Sequence, residues 1–482
     1  MIDLRPVFLV IGLLLTTLAI AMMLPAWVDA LYGDPDWKVF AASAAVSLFI
    51  GVALVLSNRA GSLEPSVRQV FLLTTVGWLA IAAFAALPFA FSNLELSFTD
   101  AFFEAMSGIT TTGSTVITDF ETVPRGILLW RAVLQWLGGI GTIIMAVAVL
   151  PVLKIGGMQM FRIEGLERSE RVMPRAAQYT SVITIIYIGL TAALALALWQ
   201  AGMGGFDAVT HAMTTISTGG FSNSADSIAH FRSAAIEGIV LVGMILGGMP
   251  FLLFVLAARG QVRPVLRDSQ IHWYLAILLA ATIAVWLWLW SNGEFAPLEA
   301  LRHGAFMVVS MMTGTGFFTT DFSNWTGLPL TVLFFLTLIG GCAGSTSGGV
   351  KVFRIQILFA NARVQTQRLL GPHAVLIPYY NRKAINDTVA ESVMGFLLVY
   401  ALTFAVLAMG LAMLGLDFMT AASGAASAIA NVGPGLGQAI GPAGDYAAVP
   451  DAAKWLLAGG MLLGRLEMFL VLVLFAPTFW RP

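Results

Sequence analysis

Residues 100–115 read DAFFEAMSGITTTGST, and residues 207–222 read DAVTHAMTTISTGGFS. The two segments align without a gap, and Gly113 falls on Gly220. Two further stretches repeat the pattern, each around one glycine: SMMTGTGFF at 310–318 and SAIANVGPGLG at 427–437. The aligned glycines, which we call the register glycines, are Gly113, Gly220, Gly316 and Gly433. A motif that recurs at a nearly constant interval predicts a fold made of repeated units.

The agreement extends to the residues before each register glycine. Six positions earlier, every copy has a small hydroxyl residue: Ser107, Thr214, Ser310 and Ser427. Four positions earlier, every copy has a large apolar residue: Ile109, Ile216, Met312 and Ile429. The register glycines are 107, 96 and 117 residues apart, so each period has room for a helix, a short half-helix, a loop and a second helix. The fourth copy depends mainly on Ser427, Ile429 and Gly433.

The composition predicts that these repeats lie in a membrane. Of the 482 residues, 58% are hydrophobic and 11% are charged, and the mean hydropathy is +0.87. Soluble globular chains are about 45–50% apolar and about 25% charged. The composition therefore excludes an ordinary soluble enzyme, a disordered chain and a protein that binds nucleic acid through bulk charge. The single cysteine, Cys342, excludes an intramolecular disulfide and a multi-cysteine metal site.

Ten apolar runs are long enough to cross a bilayer, which takes about 20 residues. They lie at 7–28, 38–57, 70–92, 126–152, 179–202, 233–258, 273–291, 328–360, 392–416 and 453–476. Ten crossings place both termini on one side, and the connections on that side hold 18 of the 25 basic residues. The positive-inside rule makes that side cytoplasmic. The acidic excess on the other side either attracts cations to an outer vestibule or reflects topology alone.

The segments before the register glycines are too short to cross the membrane. Each begins near an acidic residue: Asp100, Asp207, Glu299 and Asp417. Acidic residues suit a helix N-terminus, and the opposite end, with its partial negative charge, then points to the bilayer centre and favours a cation. Glycine-rich loops at that depth can expose backbone carbonyls to an ion. The alternative is that these glycines and hydroxyl residues are helix-packing patches.

Four such loops on one chain resemble the filters of the Trk/Ktr/HKT superfamily, and two extra N-terminal helices resemble its TrkH/TrkG branch. The loops read TTTGS (110–114), STGGF (217–221), TGTGF (313–317) and ANVGPG (430–435). The resemblance covers the whole chain. It implies a potassium-binding filter made of Thr110, Thr111, Thr112, Gly113, Ser217, Thr218, Gly219, Gly220, Thr313, Gly314, Thr315, Gly316, Ala430, Asn431, Val432 and Gly433. In the family, glycine at all four filter positions is associated with preference for potassium over sodium.

A second glycine-rich stretch, GGCAGSTSGG at 340–349, interrupts the apolar run 328–360. Glycine, serine and threonine sustain a helix less well than leucine or alanine, so we expect either a functional break or a static kink. A phosphate-binding loop is excluded, because Val350 separates Gly349 from Lys351. The stretch matches the intramembrane gate loop of the family, which implies gate residues Gly340, Gly341, Gly344, Ser345, Thr346, Ser347, Gly348 and Gly349.

Arg465 is a charged residue inside an apolar run, GMLLGRLEMFL at 460–470. A charge at this depth is costly unless it meets water or a partner, so a functional role is the default hypothesis. In the family, a corresponding arginine lies in the pore beside the gate loop. The alternative is a structural pairing with Glu467 or with loop carbonyls, and both interpretations can hold together.

We therefore predict an all-α integral membrane protein with ten transmembrane helices, four pseudo-symmetric repeats around one pore and two extra N-terminal helices. The predicted units are the two N-terminal helices at 1–65 and the pore repeats at 66–165, 166–262, 263–372 and 373–482. The predicted function is potassium uptake, with no enzymatic activity and no cofactor in this chain. Potassium is the transported ligand, and the lipid bilayer, not a nucleic acid, is the surrounding partner.

The resemblance also implies a bacterial cytoplasmic membrane, a homodimer and a TrkA-like cytosolic nucleotide-binding regulatory subunit. The basic segments 154–175 and 351–383 are candidate docking surfaces, although positive-inside bias explains them equally well. A proton- or sodium-coupled symporter with broken helices stays open as an alternative, but such folds usually have two inverted halves. An intramembrane enzyme has no convincing catalytic group in any broken segment.

Overall fold

The computed structural model describes residues 3–59, 66–149, 153, 156–158, 172–371, 373–442 and 444–481. Within these ranges the chain is helical apart from one short hairpin, Tyr379–Tyr380 paired with Lys383–Ala384. Two helices come first, Arg5–Tyr32 and Trp37–Ser57. The rest of the chain runs four times through the same order of outer helix, half-helix and inner helix.

The outer helices are Val67–Ala85 with its short extension Leu87–Phe91, Val172–Gln200, Ser269–Ser291 and Asp387–Met413. The half-helices are Phe98–Ile109, Gly205–Ile216, Pro297–Thr313 and Phe418–Ala430. The inner helices are Arg125–Ile144, Ala234–Gly247, Leu328–Ile339 and Asp451–Arg465.

Every inner helix is broken or distorted at its far end. The segments that follow the four inner helices are a π-helix at Met145–Val149 and helices at Phe251–Ala258, Val352–Leu370 and Phe469–Leu472. Smaller pieces are the helices Val262–Arg267 and Pro477–Trp480 and the 3₁₀ turns Ser227–Phe231, Phe322–Asn324 and Val473–Phe475.

The predicted all-α membrane fold is confirmed, while the count of ten crossings is supported only in part. Among the described residues, seven helices are long and apolar enough to cross a membrane, and two bent pairs raise the number to as many as nine. The bends are 95° after Gly247 and 106° after Arg465. The remaining predicted crossing, 328–360, is divided into two helices by the non-helical residues 340–351.

Burial separates the first inner helix from the outer helices. In the most apolar part of Arg125–Val147, 72% of the residues are buried, against 22% in both Ser269–Ser291 and Asp387–Met413. Large apolar side chains on the two N-terminal and the outer helices point away from the protein, such as Phe49 at 75% exposed and Val406 at 64%. An apolar belt of this kind suits a lipid environment and not water.

Both termini lie on one face, which we call the terminal face. The Gln69 side chain donates to the carbonyl of Asp3 at 2.6 Å, and the Arg68 side chain donates to the carbonyl of Arg481 at 2.6 Å. The start of the first outer helix therefore holds both chain ends beside it. The prediction that both termini share a side agrees with these contacts.

Glycines let the inner helices approach the ends of the half-helices. A Cβ atom added at Gly138, Gly247 or Gly464 falls within 3.0 Å of a half-helix carbonyl oxygen. These carbonyls belong to equivalent residues, four before the register glycine: Ile109, Ile216 and Ile429. Because any larger residue would push the half-helix away, these glycines fix the position of the loops that follow.

Candidate ion pathway

Each half-helix ends in the same hydrogen-bonded turn. Two residues before every register glycine, the backbone is left-handed, with φ of 53°, 49°, 73° and 56° at Thr111, Thr218, Gly314 and Asn431. The N–H of the next residue donates to the carbonyl six before the glycine at 2.8, 2.8, 2.9 and 3.0 Å; the acceptors are Ser107, Thr214, Ser310 and Ser427. These features form a Schellman motif, a common helix ending. The fourth copy, weakest in sequence, has the same geometry.

The four loops meet in a closed ring. All register glycines have positive φ, of 92°, 78°, 80° and 103° in chain order. A Cβ atom added at any of them falls within 3.0 Å of a carbonyl oxygen of the next copy; these oxygens belong to Gly219, Thr315, Val432 and, closing the ring, Thr112. Each contacted residue directly precedes a register glycine. The ring therefore has fourfold backbone symmetry and no room for a side chain at these positions.

Side chains around the ring follow a twofold pattern instead. In the first and third copies, two threonine hydroxyls lie 2.8 Å apart, Thr110 with Thr112 and Thr313 with Thr315. The equivalent residues are Ser217 and Gly219 in the second copy and Ala430 and Val432 in the fourth. The Asn431 amide crosses to the first copy and donates to the Thr112 hydroxyl at 2.9 Å.

Gln135 supports the second loop, and the sequence offered no signal for it. Its amide donates to the carbonyl of Gly219 at 2.7 Å and accepts from the N–H of Phe221 at 3.0 Å. Nearby, Arg131 pairs with Glu104 at 2.8 Å, both buried, and Glu104 also accepts from the N–H of Val116 at 2.9 Å. These contacts fix the loops from the inner helix behind them.

Two cavities lie between the ring and the face opposite the termini. One, of about 150 Å³, is lined by Gly113, Gly220, Gly316 and Pro434. The other, of about 400 Å³, is lined by four acidic residues: Asp119, Glu121, Asp207 and Asp226. Four carboxylates around one cavity raise the local concentration of cations.

The half-helices carry their acidic residues at the ends remote from the ring. Asp100, Asp207 and Glu299 lie in first turns, and Asp417 is an N-cap residue. The Asp417 carboxylate accepts the N–H of Thr420 at 3.1 Å, and hydrogen bonds from Thr420 lower the pKa of this carboxyl group. The helix ends with partial negative charge therefore point at the ring.

The predicted gate loop fills the break in the second inner helix. The N–H of Cys342 donates to the carbonyl of Gly248 at 2.9 Å, and the N–H of Thr346 donates to that of Gly247 at 3.3 Å. In return, the N–H of Phe251 donates to the carbonyl of Gly344 at 2.9 Å. The loop thus satisfies the backbone groups that the bend exposes.

Thr346 connects this loop to the ring and to Arg465. Its hydroxyl donates to the carbonyl of Ile216 at 3.1 Å and lies 3.1 Å from the hydroxyl of Thr218. Its carbonyl accepts from the Arg465 guanidinium at 2.8 Å. The other two Arg465 nitrogens, Nε and Nη2, are buried and have no hydrogen-bond partner among the described residues.

Arg465 therefore bonds to a loop carbonyl and not to Glu467. Glu467 pairs with Lys351 at 2.7 Å and with Arg354, and all three are buried. Arg354 also donates to the carbonyl of Gly156 at 3.0 Å. The sequence pointed to Glu467 only as a candidate partner of Arg465 and did not indicate its pairing with Lys351 and Arg354.

Short helices that converge on one ring, inside a bundle with an apolar belt, define a membrane transport protein with re-entrant loops. Residues 37–481 match the family described as "TrkH: Cation transport protein". The chain belongs to the TrkH family, whose members are transporters and not enzymes.

Known relatives match over nearly the full length. The chain is 43% identical to the Trk system potassium uptake protein TrkI of Halomonas elongata, covering 99% of this chain and 97% of TrkI. It is 37% identical to TrkH of Escherichia coli K12, covering 99% of both. The crystal structure of the potassium transporter TrkH from Vibrio parahaemolyticus superposes with a TM-score of 0.92 at 38% identity, covering 99% of this chain and 100% of that one.

Proposed function

We propose that this chain takes up potassium through the ring of four glycine loops. The observation that carries the proposal is the closure of the ring: each register glycine lies against a carbonyl of the next copy. Backbone carbonyls at such a constriction replace the hydration shell of a cation. Potassium is the chosen ion because TrkI and TrkH relatives are potassium uptake proteins by name and all four positions are glycine.

The path begins at the acidic cavities and passes the negative ends of the half-helices. Beyond the ring, the path meets the gate loop and Arg465. The Arg465 guanidinium donates to the carbonyl oxygen of the loop residue Thr346 at 2.8 Å. A buried guanidinium with two nitrogens that have no hydrogen-bond partner among the described residues repels a cation, which supports a closed state of the proposed pathway. All four half-helices direct the same end at the ring, which favours a single pore over two inverted halves.

Uptake by the purified protein tests this function. We expect the protein to take up rubidium in proteoliposomes. Excess potassium should suppress this uptake about tenfold more effectively than excess sodium does, and a tenfold preference corresponds to about 1.4 kcal/mol. Vesicles without protein serve as the control. Absence of rubidium uptake both in the native chain and in Arg465→Ala would show that the ring does not conduct.

Regulation and placement complete the proposal. Names that include "Trk system" imply several components for the relatives. We infer a TrkA-like cytosolic nucleotide-binding subunit as the partner, a homodimer, and a bacterial inner membrane with the terminal face in the cytoplasm. Of the two candidate docking segments, 154–175 lies largely outside the described residues, whereas 351–383 includes exposed Arg363 and Arg368 on one helix.

Charge reversal at the docking surface tests the partner. Arg363→Glu combined with Arg368→Glu should weaken co-purification with a TrkA-like subunit about tenfold or more, because like charges then face each other. Arg5→Glu with Arg59→Glu changes two other exposed arginines by the same total charge. Equal retention of the partner by both double variants would remove 351–383 as the docking surface.

A further inference from the structure

Three consecutive residues at the start of the third outer helix together contact three different elements. Asp268 contacts the 379–384 hairpin, Ser269 contacts the helix Val352–Leu370, and Gln270 contacts the gate loop. We call these three residues the cap segment. Neither the repeat pattern nor the proposed ion path assigns them a role.

Gln270 holds the gate loop directly. Its side chain is buried, and its amide oxygen accepts the N–H of Ala343 at 2.6 Å. Ala343 lies between Cys342, which is bonded to Gly248, and Gly344, which is bonded to Phe251. Loss of the acceptor would leave a buried N–H without a partner, which is costly. Gln270 therefore favours the docked position of the loop.

Asp268 joins the hairpin to the same helix end. One carboxylate oxygen accepts the N–H groups of Gln270 at 2.9 Å and Ile271 at 3.3 Å, which caps the helix. The other accepts from the Asn381 amide at 3.0 Å, while the Asn381 oxygen accepts the N–H of Ser269 at 3.3 Å. Asn381 and Arg382 have φ of 49° and 65°, as a tight two-residue hairpin turn requires.

Ser269 links the cap segment to the helix that follows the gate loop. Its carbonyl accepts from the Gln356 amide at 2.8 Å. A cavity of about 130 Å³ separates the loop from the hairpin, with Gly344 on one wall and Tyr380 on another. The hairpin, the helix Val352–Leu370 and the gate loop therefore all contact residues 268–270, and a cavity lies beside these contacts.

We propose that the cap segment positions the gate loop and couples it to the exposed hairpin. While Asn381 is bonded to Asp268, the helix end is ordered and Gln270 holds Ala343. Displacement of the hairpin by a partner loosens the helix end and releases the loop toward the cavity. This inference rests on the proposed role of residues 340–349 as the gate.

The chain contains its own reporter for this movement. Cys342 is its single cysteine, is fully buried and precedes Ala343. We expect Gln270→Leu to accelerate modification of Cys342 by a methanethiosulfonate reagent about threefold to tenfold, the effect of losing one hydrogen bond. Gln69→Leu is the matched control, because Gln69 accepts the N–H of Ser66 at the same 2.6 Å near the start of the first outer helix.

A residue exchange tests the coupling to the hairpin. Asp268→Asn keeps a good helix cap but turns an amide donor toward that of Asn381, and Asn381→Asp places two carboxylates together. Each single variant should accelerate Cys342 modification about threefold or more. The double variant restores one donor and one acceptor, so its rate should return to that of the native chain.

Two results would overturn the inference: equal Cys342 rates in Gln270→Leu and Gln69→Leu, or a double exchange no slower than its single variants. Rubidium flux, measured in the same vesicles, separates this inference from the proposed function. Faster modification with increased flux and unchanged ion preference supports both. Faster modification with unchanged flux supports the positioning role of the cap segment and counts against the loop as the gate.

Discussion

Replacing Gly113 by serine should admit sodium to a pathway that otherwise prefers potassium. Gly113 has φ of 92°, and a Cβ atom there falls within 3.0 Å of the Gly219 carbonyl oxygen. The side chain must therefore displace a carbonyl of the ring or twist its own backbone, at a cost of about 1–3 kcal/mol. We expect the ratio of rubidium to sodium flux to fall about tenfold or more, since 1.4 kcal/mol corresponds to a factor of ten.

Gly415→Ser is the matched control for this substitution. Gly415 has φ of 93°, but an added Cβ atom there meets no atom within 4 Å. The two variants share the backbone strain and differ in proximity to the ring, so only Gly113→Ser should lose selectivity. An unchanged flux ratio in folded Gly113→Ser protein would show that the ring does not select ions.

The Arg465→Ala variant should conduct about tenfold or more faster than the native chain. The substitution removes a buried positive charge beside the gate loop and its hydrogen bond to Thr346, and bonds to charged groups are worth about 1.5–3 kcal/mol. The fold should tolerate the change, because Glu467 keeps both of its own partners, Lys351 and Arg354. Initial rubidium uptake, normalised to reconstituted protein, is the measurement.

Arg465→Lys separates the two contributions of this residue. Lysine keeps the positive charge but is a flexible point charge without the planar guanidinium. We expect flux between that of the native chain and that of Arg465→Ala, because the charge barrier stays while the bond to Thr346 weakens. Arg465→Ala flux equal to that of the native chain would exclude Arg465 from gating.

The inner-helix breaks show where prediction from sequence stops. The third break was predictable because residues 340–349 combine several glycines with hydroxyl residues. The 106° bend after Arg465 has no glycine or proline at its centre, and Glu467 adopts a φ of 59° there. In this backbone conformation the Glu467 side chain forms buried ion pairs with Lys351 and Arg354. Both partners are more than 100 residues away in the chain.

The sequence by itself determined the membrane class, the four repeats and the register of the glycine loops, because hydropathy, helix ends and left-handed glycines are properties of short segments. Only the tertiary structure decided that Arg465 bonds to Thr346 and not to Glu467, that Gln135 supports the second loop, and that Gln270 holds Ala343. Each of these contacts joins residues 73 to 119 positions apart. Contacts between residues so far apart in the chain depend on how the helices pack, and a local sequence pattern does not contain that information.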